Sequence, residues 1–353
     1  MKKFVVIILI LSALRISAQT NVIPVSSENA PQNSITYFLP QTEIFVSVTV
    51  KKTIEKRGQF ANYAKRLLAL NNVAASNKES YEIDNVYISH NFIADSTKKY
   101  AIEINPKSVA YKVKLNENGV IESVNWSEKE DLPINLPSML SDCASHHNYL
   151  DTIFNFSVLG EEALLATSEA KMAELVAKQI FKIRESKMEI LSGESEKEFD
   201  GEALALAISE LDKIEKELIV LFSGKTATAY ERKTFRIIPK TAVENQVLFR
   251  FSPLLGVVET DNFAGRPVVV NIAPKFIYKE NLAPPQKTIK QFGLFYNVVG
   301  SAEISVIDNE KILTETTITM PQFGITKFLP AEIFNKPETQ MKFTKFGTVE
   351  YIK

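Results

Sequence analysis

Strand-like patterns dominate the chain between residues 34 and 132. Residues 44–50 read IFVSVTV, in which β-branched and aromatic residues alternate with small polar ones, and this period of two predicts a half-buried strand. Further strand patterns cover residues 81–89, 99–104, 109–115 and 120–126. Apolar residues at helical spacing interrupt them in residues 60–68, which predict one short amphipathic helix packed on the sheet.

Residues 161–222 follow helical spacing instead. Their apolar residues lie close to one stripe on each of two segments, with Leu164, Leu165, Met172, Val176, Ile180, Ile183 and Leu191 on the first and Leu204, Ile208, Leu211, Leu218 and Phe222 on the second. The pattern predicts two helices of about 31 and 21 residues, or roughly 46 and 32 Å. We interpret the two helices as one antiparallel hairpin.

The rest of the chain, from residue 225 to residue 353, returns to strand patterns. Short apolar or alternating runs cover residues 235–238, 247–251, 268–272, 302–307 and 312–320. Prolines at 239, 253, 267, 274, 284, 285, 321, 330 and 337 separate them, as expected for short strands that are joined by turns.

These patterns together predict an α+β fold in which two β-rich regions are joined by a long antiparallel helical hairpin. The predicted divisions are a signal peptide (1–18), a flexible mature N-terminus (19–33), an N-terminal β-rich domain with one short helix (34–132), a connector (133–160), the helical hairpin (161–223) and a C-terminal β-rich domain (224–353).

The chain starts with MKKFVVIILILSALRISAQT, which has two lysines, an apolar run and then Ser17 and Ala18. This order is typical of a secretory signal peptide cleaved after Ala18. The alternative is an uncleaved anchor, but the apolar run of about 11 residues is shorter than the roughly 20 needed to span a bilayer. We expect an exported protein without a transmembrane span after cleavage, located in the periplasm or associated with the outer membrane.

The composition and net charge of the chain are those of a globular protein that does not bind nucleic acid. The chain is 45% hydrophobic and 24% charged, as is usual for a globular protein, with a formal net charge of −1. Residues 161–222 contain 15 acidic and 8 basic residues, a net charge of −7. Because there is no basic excess to neutralise phosphates, nucleic-acid binding is disfavoured. Cys143 is the only cysteine, so an internal disulfide is excluded.

An acidic stretch, SGESEKEFDGEAL (residues 192–204), resembles a calcium loop at first sight. An EF-hand loop that began at Glu196 would place Ala207 at position 12, where calcium requires a bidentate glutamate. We therefore interpret the stretch as the turn of the hairpin. Gly193 suits the end of the first helix, and Asp200 suits the N-cap of the second.

A second candidate metal site lies in SDCASHHNYLD, residues 141–151. On a helix, Cys143, His147 and Asp151 would share one face at four-residue spacing, which suits zinc or another transition metal. The alternative is an irregular, solvated connector, which the neighbouring prolines favour. We favour the connector, and we expect no metal and no cofactor.

Sequence motifs of catalysis are otherwise absent. The chain contains no phosphate-binding glycine loop, GxSxG, HExxH or dinucleotide-binding fingerprint. A carboxylate pair like that of glycosidases stays open as an alternative, because such residues meet in space and not in sequence.

Four segments carry a resemblance to a known family. They are YFLPQTEIFVSVTVKKTIEKRGQFANYAKRLL, KIRESKMEILSGE, DGEALALAISELDKIEKELIVLFSGKT and MPQFGITKFLP. Together they resemble domain of unknown function 4831 (DUF4831), a family of exported Bacteroidota proteins. The resemblance implies an envelope location and carries no catalytic residues. In that setting, Asp95-Ser96-Thr97 and Asp151-Thr152-Ile153 resemble O-glycosylation sequons, with Ser96 and Thr152 as the modified residues.

The function that we expect is a non-catalytic binding or scaffold protein of the cell envelope. It would contact a protein partner through the hairpin and the sheet edges, and a glycan ligand is compatible with the sequence. The alternative is an envelope enzyme that acts on glycan or peptide through carboxylates in a cleft between the β-rich regions. Ligand transport is disfavoured, because the βαβ alternation of two-lobed binding proteins is missing.

Overall fold

The computed structural model describes residues 22–25, 31, 33–103, 112–126, 154–194, 201–275, 293–330, 333 and 338–353. Within these ranges the protein is mixed and rich in strands, as predicted. The strands are β1 (Val22–Pro24), β2 (Ser34–Lys56), β3 (Lys78–Glu103), β4 (Val113–Leu115), β5 (Ile121–Val124), β6 (Lys225–Ile237), β7 (Val243–Ser252), β8 (Gly256–Val258), β9 (Arg266–Pro274), β10 (Phe295–Asp308), β11 (Lys311–Phe328), β12 (Met341–Phe343) and β13 (Val349–Ile352). The α-helices are α1 (Ala64–Leu68), α2 (Glu161–Leu164), α3 (Glu169–Ser192) and α4 (Gly201–Ser223).

A long antiparallel ribbon of β2 and β3 organises the described residues. It forms the centre of the first sheet, whose strand order is β1-β3-β2-β6. The 23 residues of β2 span roughly 75 Å at about 3.3 Å per residue. The sequence pattern predicts separate strands at 81–89 and 99–104, but β3 is continuous through both. A bulge in β3, between the partners of Phe38 and Pro40, accommodates the extra residues.

The main core lies between the first sheet and a second one. The second sheet has the order β11-β10-β9-β7-β8, and its alternate residues point inward as the strand period requires. The buried residues of this sandwich are Ile44, Val46, Val48, Val50, Val86, Ile88, Phe249, Phe251, Val268, Val270, Ile272, Ala302, Ile304, Val306, Ile318 and Met320.

The sheets do not follow the division of the sequence into an earlier and a later strand-rich region. β6 comes after the helices in sequence, yet it pairs with β2 along 13 residues. A third sheet, with the order β13-β12-β5-β4, likewise joins strands from both regions. It covers a separate core around Tyr37, whose hydroxyl accepts a hydrogen bond from the Phe295 amide at 2.9 Å. Both regions therefore contribute to shared sheets.

The helices differ from the prediction in one respect. The sequence pattern predicts one helix over about 31 residues from position 161, but the structure divides this segment into α2 and α3. The reason is local. Ser168 has an extended backbone, and its hydroxyl accepts a hydrogen bond from the Lys171 amide at 3.3 Å, so it caps a new helix. α3 ends at Gly193, which has the left-handed φ of 76° that favours glycine.

α3 and α4 pack together over a core of their own. Arg184 pairs with Glu215, and Lys187 pairs with Asp212. The later residue of α3 therefore contacts the earlier residue of α4, so the two helices run antiparallel. Their buried residues include Val176, Ala177, Ile180, Ile183, Leu218, Leu221 and Phe222.

The base of the helix pair is fixed to the end of the β2–β3 ribbon. The Phe60 amide donates to the Leu221 carbonyl at 2.8 Å, and the Phe60 and Phe222 rings lie 5.3 Å apart. The approach is so close that a Cβ atom on Gly58 would stand 2.5 Å from the Leu221 carbonyl oxygen. Glycine is therefore required at Gly58 by lack of space.

Candidate functional site

The metal-site prediction concerns residues that the structure does not describe. Cys143, His147 and Asp151 all lie outside the described ranges, as does Thr152. In the part of the chain that is described, no three metal-ligating side chains come together. The metal hypothesis at residues 143–151 and the preferred connector interpretation both stay predictions.

Ser96 lies in a described part of β3 and is exposed. The preceding Asp95 is buried, and its Oδ1 accepts hydrogen bonds from the Thr97 amide at 2.9 Å and from the Thr97 hydroxyl at 2.6 Å. The aspartate thus holds the bulge while the serine faces solvent. This geometry makes Ser96 accessible, and O-glycosylation there stays a prediction that the intact mass of the native protein can test.

Two carboxylates influence each other on the outer face of the second sheet. Hydrogen bonding to Glu315, and then to Lys275, lowers the pKa of Glu303, while the hydrogen bond with Glu303 raises the pKa of Glu315. Opposed pKa values are a feature of catalytic carboxylate pairs. Glu303 is partly exposed and Glu315 is exposed on the outer face of the sheet, however, whereas the enzyme hypothesis places its carboxylates in a cleft.

The first exposed surface is a stripe of apolar side chains on α3. Phe181, Met188 and Leu191 are 50%, 68% and 65% exposed, although Ile180 and Ile183 of the same helix are buried. We call these three residues the outer stripe. Glu185 stands four residues after Phe181 and three before Met188, so it lies on the same face. Arg184 also borders the stripe, with its guanidinium carbon 5.8 Å from the centre of the Phe181 ring, so the outer stripe is apolar with charged neighbours of both signs.

An ion-pair network joins the two long helices beside this stripe. Arg184 Nε lies 2.6 Å from Glu215 Oε1, Lys187 Nζ lies 2.7 Å from Asp212 Oδ1, and Lys187 also contacts Glu215. Partial burial raises the pKa of Glu215, but the hydrogen bonds and charges of Lys187 and Arg184 outweigh it, so the pKa is lowered overall. The network fixes the helices in register.

The second exposed surface is the outer face of the third sheet. Directly opposed residues of neighbouring strands share a face, and the pairs Lys114↔Ser123, Ser123↔Lys342 and Lys342↔Tyr351 form one row across four strands. The row ends beside Trp126, whose ring centroid lies 5.2 Å from that of Tyr351 at an angle of 77°. We call Trp126 and Tyr351 the aromatic pair.

A cleft of about 270 Å³ opens further along the same sheet, where β5 and β12 separate. The two strands pair only at Met341↔Val124 and Lys342↔Ser123. The cleft is lined by Lys114, Asn116, Val120, Ile121, Glu122, Ser123, Lys342, Phe343, Thr344 and Lys345. Lys342 belongs both to the cleft and to the row that leads to the aromatic pair.

Sequence reasoning missed this second surface. It treats residues 120–126 only as a strand, and β12 and β13 lie more than two hundred residues further along the chain. One signal is present, because Trp126 is the only tryptophan of the chain and it stands at the end of a predicted strand. Nothing in the sequence indicates that Tyr351 would lie beside it.

The fold and these two surfaces define a strand-rich α+β protein that exposes an apolar helix face and an aromatic sheet face. Residues 33–348 match the family described as domain of unknown function 4831 (DUF4831), so the chain belongs to that family. The predicted resemblance is thereby confirmed. The chain matches no curated protein and no solved structure.

Among the described residues, every helix is too short or too polar to cross a bilayer.

Proposed function

We propose that this protein is an exported, non-catalytic binding or scaffold protein of the cell envelope, in the periplasm or associated with the outer membrane. In this proposal α3 and α4 form a hairpin between the two strand-rich regions of the sequence, and the hairpin receives a protein partner. The signal-peptide pattern of residues 1–18 and the family resemblance support the location.

The observation that carries the proposal is the outer stripe. Surface helices normally turn their apolar residues to the core and their charged residues to water. α3 follows this rule with Ile180 and Ile183, but it also exposes Phe181, Met188 and Leu191. Exposed apolar side chains that are grouped on one face mark interaction sites more often than isolated ones do. Phenylalanine and methionine are also enriched at protein interfaces.

The charge distribution suggests which kind of partner fits. Residues 161–222 carry a net charge of −7, so the remaining mature chain carries about +3. A second copy would bring another acidic helix pair against the first, and like charges repel. A partner that has an apolar surface and a positive net charge fits the outer stripe of this acidic helix pair better.

The alternative is an envelope enzyme with carboxylates in a cleft. The described carboxylates with opposed pKa values, Glu303 and Glu315, lie on an exposed sheet face and not in a cleft. The cleft on the third sheet has lysines on its wall and one carboxylate, Glu122. No specific observation therefore favours the enzyme, and it stays a hypothesis.

Site-specific photo-cross-linking in the native envelope tests the proposal. A photoreactive residue is placed at Met188 or at Leu191, and in a control at Lys182, which is exposed on the same helix but about 100° away from Phe181. We expect one protein to be captured from both stripe positions and not from Lys182. The purified partner should then form a stoichiometric complex that M188S and L191S together abolish.

Two results would contradict the proposal. Equal capture of many proteins at Met188 and Lys182 would show that the helix has no specific partner. A stoichiometric complex that forms unchanged with the double variant would show that the partner binds elsewhere. Cross-links between two copies of this chain would show that the partner is a second copy and not a protein of positive net charge.

A further inference from the structure

β6 forms a free edge of the first sheet. It lies at the end of the order β1-β3-β2-β6, and among the described residues its only strand partner is β2. In an antiparallel pair, every second residue of a strand turns its amide and carbonyl groups away from the neighbouring strand. Those groups of β6 therefore face outward along an edge of 13 residues.

This edge lacks most of the features with which proteins block further pairing, namely a short strand, a proline, a bulge or an inward-pointing charge. β6 is long, contains no proline and pairs with β2 without a register shift. Two charged residues, Glu231 and Lys233, lie on the inward side, opposite the buried Val50 and Val48. The Lys233 ammonium donates a hydrogen bond to the Val257 carbonyl of β8 at 2.9 Å, so it is held against the second sheet and not over the edge.

The central part of β6 is accessible from both faces. Residues 230–234 are all exposed, whereas alternate residues of a covered strand would be buried. Tyr230, Arg232 and Thr234 lie on the outer face of the first sheet, because their partners in β2 alternate with the buried valines. A further strand could therefore pair with β6 without displacing another element among the described residues.

The charge of β6 indicates the kind of partner. Residues 225–237 carry a net charge of +3, from Lys225, Arg232, Lys233, Arg236 and Glu231. Arg236 pairs with the buried Glu43 of β2. Arg232 is exposed, and the residues beside it in the same row, Thr49 and Asn85, are uncharged. A carboxylate on an added strand would therefore be attracted to Arg232.

A second copy of the chain fits this edge less well. Two β6 strands that pair edge to edge would bring a net charge of +3 against +3. Like charges directly opposite each other destabilise a strand pair, and in the antiparallel register centred on Arg232 the two arginines are opposite each other. The partner that fits is therefore an acidic segment of another protein.

We propose that β6 binds an extended, acidic segment of a partner protein by strand addition. The segment pairs its backbone with the outward amide and carbonyl groups of β6. It carries aspartate or glutamate on the outer face, beside Arg232, and uncharged residues on the inward face, opposite Glu231. This surface adds to the binding function proposed for the outer stripe and is independent of it, because the two surfaces lie on different elements.

Photo-cross-linking followed by hydrogen exchange tests the proposal. In native cells a photoreactive residue replaces Tyr230, and in the control it replaces Tyr87, which is exposed on β3 and separated from β6 by β2. We expect capture at position 230 only, with the cross-link in a segment that has acidic residues at alternate positions. A synthetic peptide of that segment is then the probe for the purified mature chain. It should slow the exchange of the β6 amides that exchange rapidly in the free protein.

Matched variants make the outcome specific. R232E should weaken binding of the peptide by about tenfold, because repulsion replaces attraction. R66E makes the same charge change at an exposed position of α1, outside the first sheet, and should leave the affinity unchanged. The double variant M188S and L191S should also leave it unchanged, which separates this surface from the outer stripe.

Several results would overturn the proposal. They are no capture at position 230, equal capture at position 87, a cross-link to another copy of this chain, and an unchanged affinity in R232E. Slow exchange of every β6 amide before the peptide is added would also overturn it, because this chain would then cover its own edge.

Discussion

The sandwich and the helix pair use their apolar residues differently. In the sandwich, Val268, Val270 and Ile272 of β9 are all buried, and the intervening positions face outward. On α3, Ile180 and Ile183 are buried, but Met188 and Leu191 are not. The sandwich is made of strands that come from both ends of the chain, while the helices pair with their neighbours in sequence.

This contrast separates apolar residues that stabilise the fold from apolar residues that stay exposed after folding. Burial stabilises a protein in proportion to the apolar area removed from water. The hydrophobic residues of the sandwich are buried, so their contribution to folding explains why they are apolar. The outer stripe gains much less from folding, because half or more of each of its side chains stays in water. Apolar side chains that folding does not explain are the ones for which a binding role has to be considered.

The largest expected effect is that of removing a large side chain from the sandwich. Phe249 is 1% exposed, and its ring stacks on that of Phe235 with centroids 5.0 Å apart. F249A should lower the free energy of unfolding by about 3–5 kcal/mol, because it removes buried surface and leaves a cavity. Urea denaturation followed by far-UV circular dichroism measures it.

The matched control removes the same side chain from the helix pair. F181A should lower the free energy of unfolding by less than about 1 kcal/mol, because half of that side chain is already in water. Equal losses in F249A and F181A would remove the distinction between the two regions.

Local pattern predicts local structure in this chain. The alternation in residues 44–50 predicts the centre of β2, and helical spacing predicts α1, α3 and α4. Two features were not predictable in this way. The break between α2 and α3 depends on a capping serine inside an apolar stripe. The pairing of β6 with β2 joins residues that are 169 to 193 positions apart.

The candidate surfaces were predictable to different degrees. The outer stripe belongs to a segment that the sequence marks as a contact element, although Phe181 and Met188 are not among the predicted stripe residues. The aromatic pair could not be predicted, because Trp126 and Tyr351 meet only through the pairing of β5, β12 and β13. The sequence instead drew attention to Cys143, His147 and Asp151, which lie outside the described residues.

A smaller effect is expected from the ion pairs that fix the helices in register. Because the pKa of Glu215 is lowered in the folded protein, its carboxylate stabilises the fold at neutral pH. This contribution is lost as the pH falls through the folded pKa, below the ordinary glutamate value of about 4. E215Q should lower the free energy of unfolding by about 1 kcal/mol at pH 7.

The pH dependence distinguishes this network from a general charge effect. The stability difference between E215Q and the wild type should disappear in acid, as Glu215 becomes protonated in the wild type. E210Q makes the same charge change on α4, where Glu210 faces Lys213 at 3.9 Å in an exposed pair, and should have little effect at either pH. A difference that stays constant as the pH is lowered through the whole acid range would contradict the assignment to Glu215.

The smallest expected effect is also the one that sharpens the contrast most. M188A should change the free energy of unfolding by no more than about 0.5 kcal/mol, because the side chain is mostly exposed. I180A, two turns earlier on the same helix and fully buried, should cost about 2–5 kcal/mol. Urea denaturation of both variants checks this. If M188A is as destabilising as I180A, then Met188 is covered by part of the chain and the outer stripe is not a free surface. If M188A leaves the free energy of unfolding unchanged but weakens the complex found by cross-linking, then Met188 belongs to the interface.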